Sequence, residues 1–547
     1  MIKNSIRIWW TALIVAWFFD FLFWEKSPGV SFPLFVGILL VAGLILSRLE
    51  EKPPARVSIW LLLPIVVFAL GTFLRREPFT TFTNYLLTLV LLGVLAHTFQ
   101  RGRWLNYSLS DYIAVFFFLL ISALARPIEF LSAKKNTPDE TNANVNPSKI
   151  SRWKRLAPIL RGVLIAFPII VVFASLLATA DPIFADYLDN FIKLFRLENL
   201  PEYIFRGVYI LILGYLLTGI YIHAFTSDKD MQLIGEDIPW LPTFLGFTES
   251  AIVLGSVDIL FAAFVAVQFR YFFGGETNIK IDGYTYAEYA RRGFGELVIV
   301  AVFSLLLFIG LSTLTRRDKS IQRKTFSGLG IGLMVLVAVI LVSAFQRLSL
   351  YEQAYGFTRL RTYSYVFMVW LGLLLAAVVV LELFKKQRAF ALASMFAAIG
   401  FVLTLNILNV DGLIVRKNVQ RVLNGGEVIV SQEVGNRDNA ALDAYYLQSL
   451  STDATPALID AQQNPQLAEE YRNELSATLA CQITLLLADS DKVWQTFHWA
   501  DHRALQLLET HRADFSAAQI YENESGSWWV KVNHKDRPCR YDPYAYY

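Results

Sequence analysis

The sequence predicts an all-α polytopic membrane protein of about 12 transmembrane helices, with a mainly helical soluble C-terminal domain. Three observations carry that prediction. The 547-residue chain is 55% hydrophobic and only 17% charged, whereas ordinary soluble domains carry about a quarter charged residues. The mean hydropathy of +0.45 is unevenly spread: apolar runs fill residues 8–408, and the remainder has a soluble composition. Both cysteines, Cys481 and Cys539, fall in that remainder. Lipid offers backbone N–H and C=O groups no water to pair with, so long apolar runs must be helices.

Taken in order, Lys3 and Arg7 precede the run Ile8 to Trp24. No small-residue cleavage site follows it, so it reads as an uncleaved first span rather than a signal peptide. Further spans are expected at 32–47, 58–74, 79–99, 111–131, 157–179, 203–225, 247–269, 295–315, 326–346, 363–384 and 389–408. Trp9, Trp10, Trp24, Trp60, Trp104 and Trp370 lie at or near span ends, where aromatic rings match the headgroup layer. Residues 132–156 are polar, proline-containing and aromatic-poor, and read as a flexible linker. The chain thus divides into a five-span bundle at 1–131, that linker, a seven-span bundle at 157–408, and a soluble domain at 409–547. In the last, helices are expected at 439–450, from Asn464-Pro465 to about Ala488, and from Asp491 to His511. A short strand pair is expected around Trp528-Trp529-Val530, and Gly425-Gly426 marks a turn before the domain.

Basic residues in short loops set membrane orientation. The linker (Lys134, Lys135, Lys149, Arg152, Lys154, Arg155), the loop with Arg316, Arg317, Lys319, Arg323 and Lys324, and the loop with Lys385, Lys386 and Arg388 fall on one face by span count. That face is expected to be cytoplasmic, leaving the C-terminal domain extracytoplasmic. Arg48, Lys52, Arg56, Arg101, Arg103, Lys3 and Arg7 count to the opposite face, so the two orientations nearly tie. A fifth segment that does not fully cross would reconcile them. Two cysteines confined to one soluble domain fit a disulfide in an oxidising compartment, and equally fit two free thiols in a reduced one.

The net charge of +3 excludes an electrostatic case for nucleic acid. His498, Asp501 and His502 share a predicted helix, but no third metal ligand is specified, and a solvated helix face accounts for them. No metal and no cofactor is expected. The sequence contains no Gly-rich phosphate loop and no Ser or Cys nucleophile motif.

Three stretches carry a family resemblance. They are Tyr284-Thr-Tyr-Ala-Glu-Tyr-Ala-Arg-Arg-Gly-Phe-Gly-Glu-Leu297, preceded by Phe261–Gln268 and Tyr271–Gly275; Leu350-Tyr-Glu-Gln-Ala-Tyr-Gly-Phe-Thr-Arg-Leu-Arg361; and Asn409-Val-Asp-Gly-Leu-Ile-Val-Arg-Lys-Asn418, with Leu450–Leu458. Together they resemble bacterial integral membrane proteins of the domain of unknown function 4173, and the related 4153, over roughly residues 160–510. Gly295 stands where that pattern has a bulkier aromatic. The resemblance implies a multi-pass protein of the bacterial inner membrane and no activity.

In the first stretch, Tyr286 and Tyr289 share a helix face, and Glu288, Arg291, Arg292 and Glu296 are spaced for ion pairs. The second offers Tyr351, Glu352, Tyr355, Arg359 and Arg361. Each reads either as an interfacial anchor or as a polar surface for a headgroup or a partner. By span count both stretches share a face with the soluble domain. Asp258 lies mid-span, where an ionised carboxylate costs roughly 2.5–3.5 kcal/mol on insertion scales. It reads as a neutral acid bonded between helices or as a proton or ion site. With no catalytic constellation, the expectation is a non-enzymatic scaffold or sensor whose partners are the lipid bilayer and another envelope protein. The alternatives are a secondary transporter using Asp258, and a membrane enzyme acting on a lipid-linked substrate.

Overall fold

The computed structural model describes residues 5–133, 200–226, 244–273, 294–424, 442–489, 493–515, 518–533 and 535–540, with scattered positions between 166 and 184. Among these, 11 helices are long and apolar enough to cross a membrane. They run α1 Ser5–Phe23, α2 Ser31–Leu49, α3 Arg56–Ile59 continued by α4 Leu62–Leu74, α5 Pro78–Thr98, α6 Leu109–Ala133, α7 Leu200–Phe225, α8 Phe247–Phe273, α9 Phe294–Leu314, α10 Ser320–Tyr355, α11 Arg359–Leu383 and α12 Phe390–Leu408. The chain is an all-α polytopic membrane protein. The expected span at 157–179 and the linker at 132–156 lie almost wholly outside the described residues. The C-terminal part holds α13 Val410–Leu423, α14 Ala444–Gln448, α15 Thr455–Gln462, α16 Glu469–Ala488, α17 Trp499–Thr510, and strands β1 Gln519–Glu522, β2 Trp528–Val532 and β3 Lys535–Pro538.

Local chemistry explains the breaks that matter. Glu77 caps α5 by accepting from Phe79 N–H at 3.0 Å and Thr80 N–H at 2.7 Å, and Pro78 opens the helix where no N–H is required. Asn409 adopts φ 48°, so the chain turns between α12 and α13, and its side chain caps Gly412 N–H at 3.2 Å. The 36 residues of α10 span about 54 Å at 1.5 Å per residue. Hydrocarbon is about 30 Å thick, so the helix projects from the bilayer before ending at Gly356, whose φ is 75°.

The chain forms two compact units that cut across the expected bundle boundaries. One comprises residues 4–21 and 121–222, the other 1–3, 22–120 and 223–547. In the first, Gly219 lies against the backbone of Ala123, where an added Cβ would meet the carbonyl oxygen at 2.4 Å. Close helix approach of this kind is how spans associate without a hydrophobic driving force. Asp20 is buried here and takes Arg206 Nε at 3.0 Å and the Tyr209 hydroxyl.

In the second unit, α8, α9, α10 and α11 build a membrane core from Leu254, Ala301, Phe308, Leu333, Val337 and Leu375. A second core joins α13, α15, α16 and α17 through Ile414, Leu458, Leu475, Leu479 and Leu508. It is continuous with Val366 of α11 and Leu405 of α12, so the C-terminal domain rests on the span ends. Where a strand pair was expected, β1, β2 and β3 form a three-stranded antiparallel sheet, because Lys535–Pro538 adds a partner to β2. Cys481 on α16 is disulfide-bonded to Cys539 beyond β3. Helix α17 starts at Trp499, eight residues later than expected from Asp491. The Phe497 carbonyl accepts from Val30 N–H at 2.9 Å in the loop between α1 and α2, and this segment turns toward that loop.

The loops after the first and third expected spans, counted from hydropathy to the face opposite the C-terminal domain, touch that domain instead. At the other end of the same unit, Ala55 N–H donates to Phe99 at 2.7 Å, Trp104 Nε1 donates to Val57 at 3.1 Å, and the Arg103–Asn106 turn lies beside Gln387–Ala389. Arg48, Lys52, Arg56, Arg101 and Arg103 therefore gather with Lys385, Lys386 and Arg388, away from the domain.

Candidate functional site: a buried charged clasp

Three span-end segments meet the C-terminal domain. Arg75-Arg76-Glu77 is the whole connection between α4 and α5, and Arg75 and Glu77 are extended. That leaves the Arg76 and Glu77 N–H groups without helical partners. Asp453 fills the vacancy, accepting from Arg76 N–H at 2.6 Å and Glu77 N–H at 2.9 Å, with the Arg75 guanidinium at 3.6 Å. Asp453 is held in place from its own side, since its carbonyl accepts from Asn409 Nδ2 at 2.9 Å. Arg75 Nε also donates to the Asn406 carbonyl at 2.9 Å.

The second anchor lies at the start of α11. Arg359 presents Nε and Nη2 to the two oxygens of Asp411 at 2.8 and 2.6 Å. This is the bidentate geometry that makes guanidinium–carboxylate pairs strong. Asp411 is fully buried and also accepts from Ser451 N–H at 2.7 Å. Glu77 lies 3.9 Å from Arg359 and accepts from the Tyr363 hydroxyl, linking the first anchor to the second. Tyr446 accepts from Arg359 N–H at 2.8 Å, and burial pushes its hydroxyl pKa up. Asn418 brackets the turn before α11, accepting from Phe357 N–H at 2.7 Å and donating to its carbonyl at 2.9 Å. Any Cβ at Gly356 would strike Asn418 Oδ1 at 2.5 Å.

A third anchor is at the domain's edge. Arg76 Nε lies 3.4 Å from Asp501, which accepts from Thr452 Oγ1 at 2.7 Å. His498 Nε2 lies 3.1 Å from Arg76 Nη1 and 3.0 Å from the Pro28 carbonyl. His498 and Asp501 are therefore docking residues, where a solvated helix face was expected.

Three guanidiniums (Arg75, Arg76, Arg359) thus face four carboxylates (Glu77, Asp411, Asp453, Asp501). The domain acid that meets Arg75 is Asp453. Burial pushes its carboxyl pKa up, opposed by the Arg76 N–H, the Arg75 charge and the Glu77 N–H. Chemically, the arrangement fastens two parts of the chain together.

Of the residues singled out from sequence, Arg359 is central to the clasp. Arg361, two positions on, turns the other way. Its guanidinium lies 4.1 Å from the Tyr351 ring centroid and 5.9 Å from that of Tyr355, whose rings are 4.9 Å apart, and it donates to the Gly356 carbonyl. The Tyr365 hydroxyl lies 3.4 Å from Glu352. Glu296 is exposed in the first turn of α9. Tyr286, Glu288, Tyr289, Arg291 and Arg292 lie outside the described residues. Asp258 on α8 faces α10, where a Cβ on Gly332 would lie 3.7 Å from its Oδ2, and its buried Oδ1 has no hydrogen-bond partner. Among the described residues no group of three or more His, Cys, Asp or Glu is placed to hold a metal ion.

Sequence reasoning passed over Arg75, Arg76, Glu77, Asp411 and Asp453. A signal existed: Arg-Arg-Glu-Pro between two apolar runs, and Asn-Val-Asp-Gly directly after the last span, are charges where a bare loop would serve. A family model described as "Domain of unknown function (DUF4153)" matches residues 62–461, which takes in all of the clasp except Pro28, His498 and Asp501. No curated protein and no solved structure matches the chain.

Proposed function

Because the chain belongs to the DUF4153 family, whose description carries no activity, we propose its role from geometry: a non-enzymatic scaffold or sensor of the bacterial inner membrane. In this reading the bundle holds the C-terminal domain outside the cytoplasm in one orientation, for another envelope protein to contact. The observation that carries it is the buried pairing of Arg359 with Asp411 and of Arg75 with Asp453, which ties the domain to two separate span-end loops. A flexibly tethered domain needs no such pairing, and buried charges are costly unless they set a specific arrangement. Orientation is supported by two independent features. Lys52, Arg56, Arg101, Arg103, Lys385, Lys386 and Arg388 gather at the end away from the domain, as the positive-inside rule requires of a cytoplasmic face. The Cys481–Cys539 bond suits an oxidising compartment.

The test is complementation of a deletion strain. Full-length chain restores the phenotype, whereas chain ending at Asn424, or full-length chain carrying Arg359→Glu, inserts normally and does not. Full rescue by the truncated chain would overturn the reading. Alkaline phosphatase fused after Tyr547 is active if the domain is extracytoplasmic, and inactive if the orientation is reversed.

One observation favours a second reading. Asp258 keeps a buried oxygen without a partner in mid-span, and intramembrane acids are functional candidates by default. A transporter using it would lose proteoliposome uptake on Asp258→Asn; uptake unchanged by that substitution removes the reading.

A further inference from the structure

The segment joining α16 to α17 bears a row of half-exposed apolar side chains. Val493, Trp494, Phe497 and Trp499 are 47%, 54%, 39% and 46% exposed, while Gln495, Thr496 and His498 between them are buried. In a water-soluble domain this is the inverse of the expected pattern, with aromatic rings outward and polar groups inward. The polar groups are committed to the span ends. His498 reaches the Pro28 carbonyl, the Phe497 carbonyl accepts from Val30, and Gly29 lies so close to the Thr496 backbone that a Cβ there would meet its carbonyl carbon at 2.5 Å.

Those contacts fix the height of the segment. Val30 immediately precedes the span α2, and Phe73, whose ring centroid is 5.9 Å from that of Phe497, is one residue from the end of the span in α4. A segment pinned just before the start of one span and next to the end of another lies at the boundary between hydrocarbon and water. Tryptophan and tyrosine concentrate at that depth because an apolar ring with a polar edge suits the headgroup layer.

We propose that Val493, Trp494, Phe497 and Trp499 form a membrane-dipping rim of the C-terminal domain, seated in the phospholipid headgroup layer beside α2 and α4. The occupant is the chain's own bilayer, because the rim continues the contact that the domain already makes with the span ends. The rim gives the domain a hold on the lipid in addition to its hold on the loops. Arg503, one turn beyond Trp499 on α17 and lining the same surface groove, stands where it can meet lipid phosphates.

The test uses the full-length oxidised chain, one copy per phosphatidylcholine–phosphatidylglycerol nanodisc. Because Cys481 and Cys539 are bonded, bimane at Trp494→Cys, or in a second variant at Trp499→Cys, labels only the new thiol. The expected result is blue-shifted emission that headgroup-proximal nitroxide lipids quench and aqueous iodide does not. Quenching by iodide but not by lipid nitroxide overturns the proposal, as does insensitivity to both, which would place the rim against protein. Each labelled chain is first shown to keep slow exchange of the Arg76 amide, so that an undocked domain is not mistaken for a dry or wet rim.

Discussion

Replacing Asp411 by alanine tests the clasp directly. The substitution leaves the Arg359 guanidinium without its two oxygens and the Ser451 N–H without an acceptor. Removing one partner of a buried ion pair costs about 3–5 kcal/mol. The Arg359 side chain is 24% exposed, so water can solvate part of the released charge. The lower end applies, about 3 kcal/mol, or on the order of 100-fold in the docking equilibrium. The assay is hydrogen exchange of the Ser451, Arg76 and Glu77 amides in nanodiscs, since Ser451 is protected by Asp411 itself and the other two only while the domain is seated. All three should exchange on the order of 100-fold faster in Asp411→Ala, including the two that Asp411 does not touch. If only Ser451 speeds up, the anchors are independent and the idea of one clasp fails. Replacing the pair by Arg359→Met with Asp411→Leu should recover much of the loss, because both charges then leave together.

Four further outcomes follow from the same structure. Gly71→Val would push a side chain into the Asn84–Asn406 amide pair, whose atoms lie 2.7 and 2.9 Å from an added Cβ; a loss of about 1–3 kcal/mol is expected in detergent thermal unfolding. Gly400→Ala would place a Cβ 2.0 Å from the Trp370 ring and lower thermal stability by a similar mechanism, with Trp370→Leu as the compensating change. Cys481→Ser with Cys539→Ser opens a loop of 58 residues and should destabilise the C-terminal domain by about 2–5 kcal/mol, read as earlier proteolysis of that domain alone. Asp453 gives the pH dependence. Its docked pKa is raised by burial, so the protonated acid is the form that docking favours. That contribution is fully present below the ordinary carboxylate value, about 3.9, and is lost as pH rises through the docked pKa. Wild-type Arg76 amide protection, corrected for intrinsic exchange, should therefore weaken over that interval relative to Asp453→Asn; equal slopes would refute the assignment.

The membrane fold was legible because hydrocarbon imposes a uniform demand. Each run of some twenty apolar residues must be a helix, whatever its neighbours do. The second resemblance stretch was legible as a charged turn, and Arg359 was correctly singled out within it. Its partner was not, since Asp411 lies 52 positions away and Glu77 further still, and no local spacing rule connects residues brought together by chain parity. Counting spans from hydropathy put the loop at Arg75–Glu77 on the face opposite the domain it touches, because hydropathy carries no record of which loops meet. The start of α17 was misplaced for a related reason. Helical periodicity runs on from Asp491, but the backbone at Phe497 bonds to Val30, nearly the whole chain away.

The clasp also has a bearing on the order of events during synthesis. Its halves are contributed by the third and fourth spans, by the turn before the eleventh helix and by residues made after the last span has left the ribosome. Asp411 and Asp453 lack their guanidinium partners until every one of those pieces has been inserted the right way round. A chain with a skipped or inverted span would leave a domain that has nowhere to sit. Docking of the last-made segment thus doubles as an inspection of the spans that carry its partners.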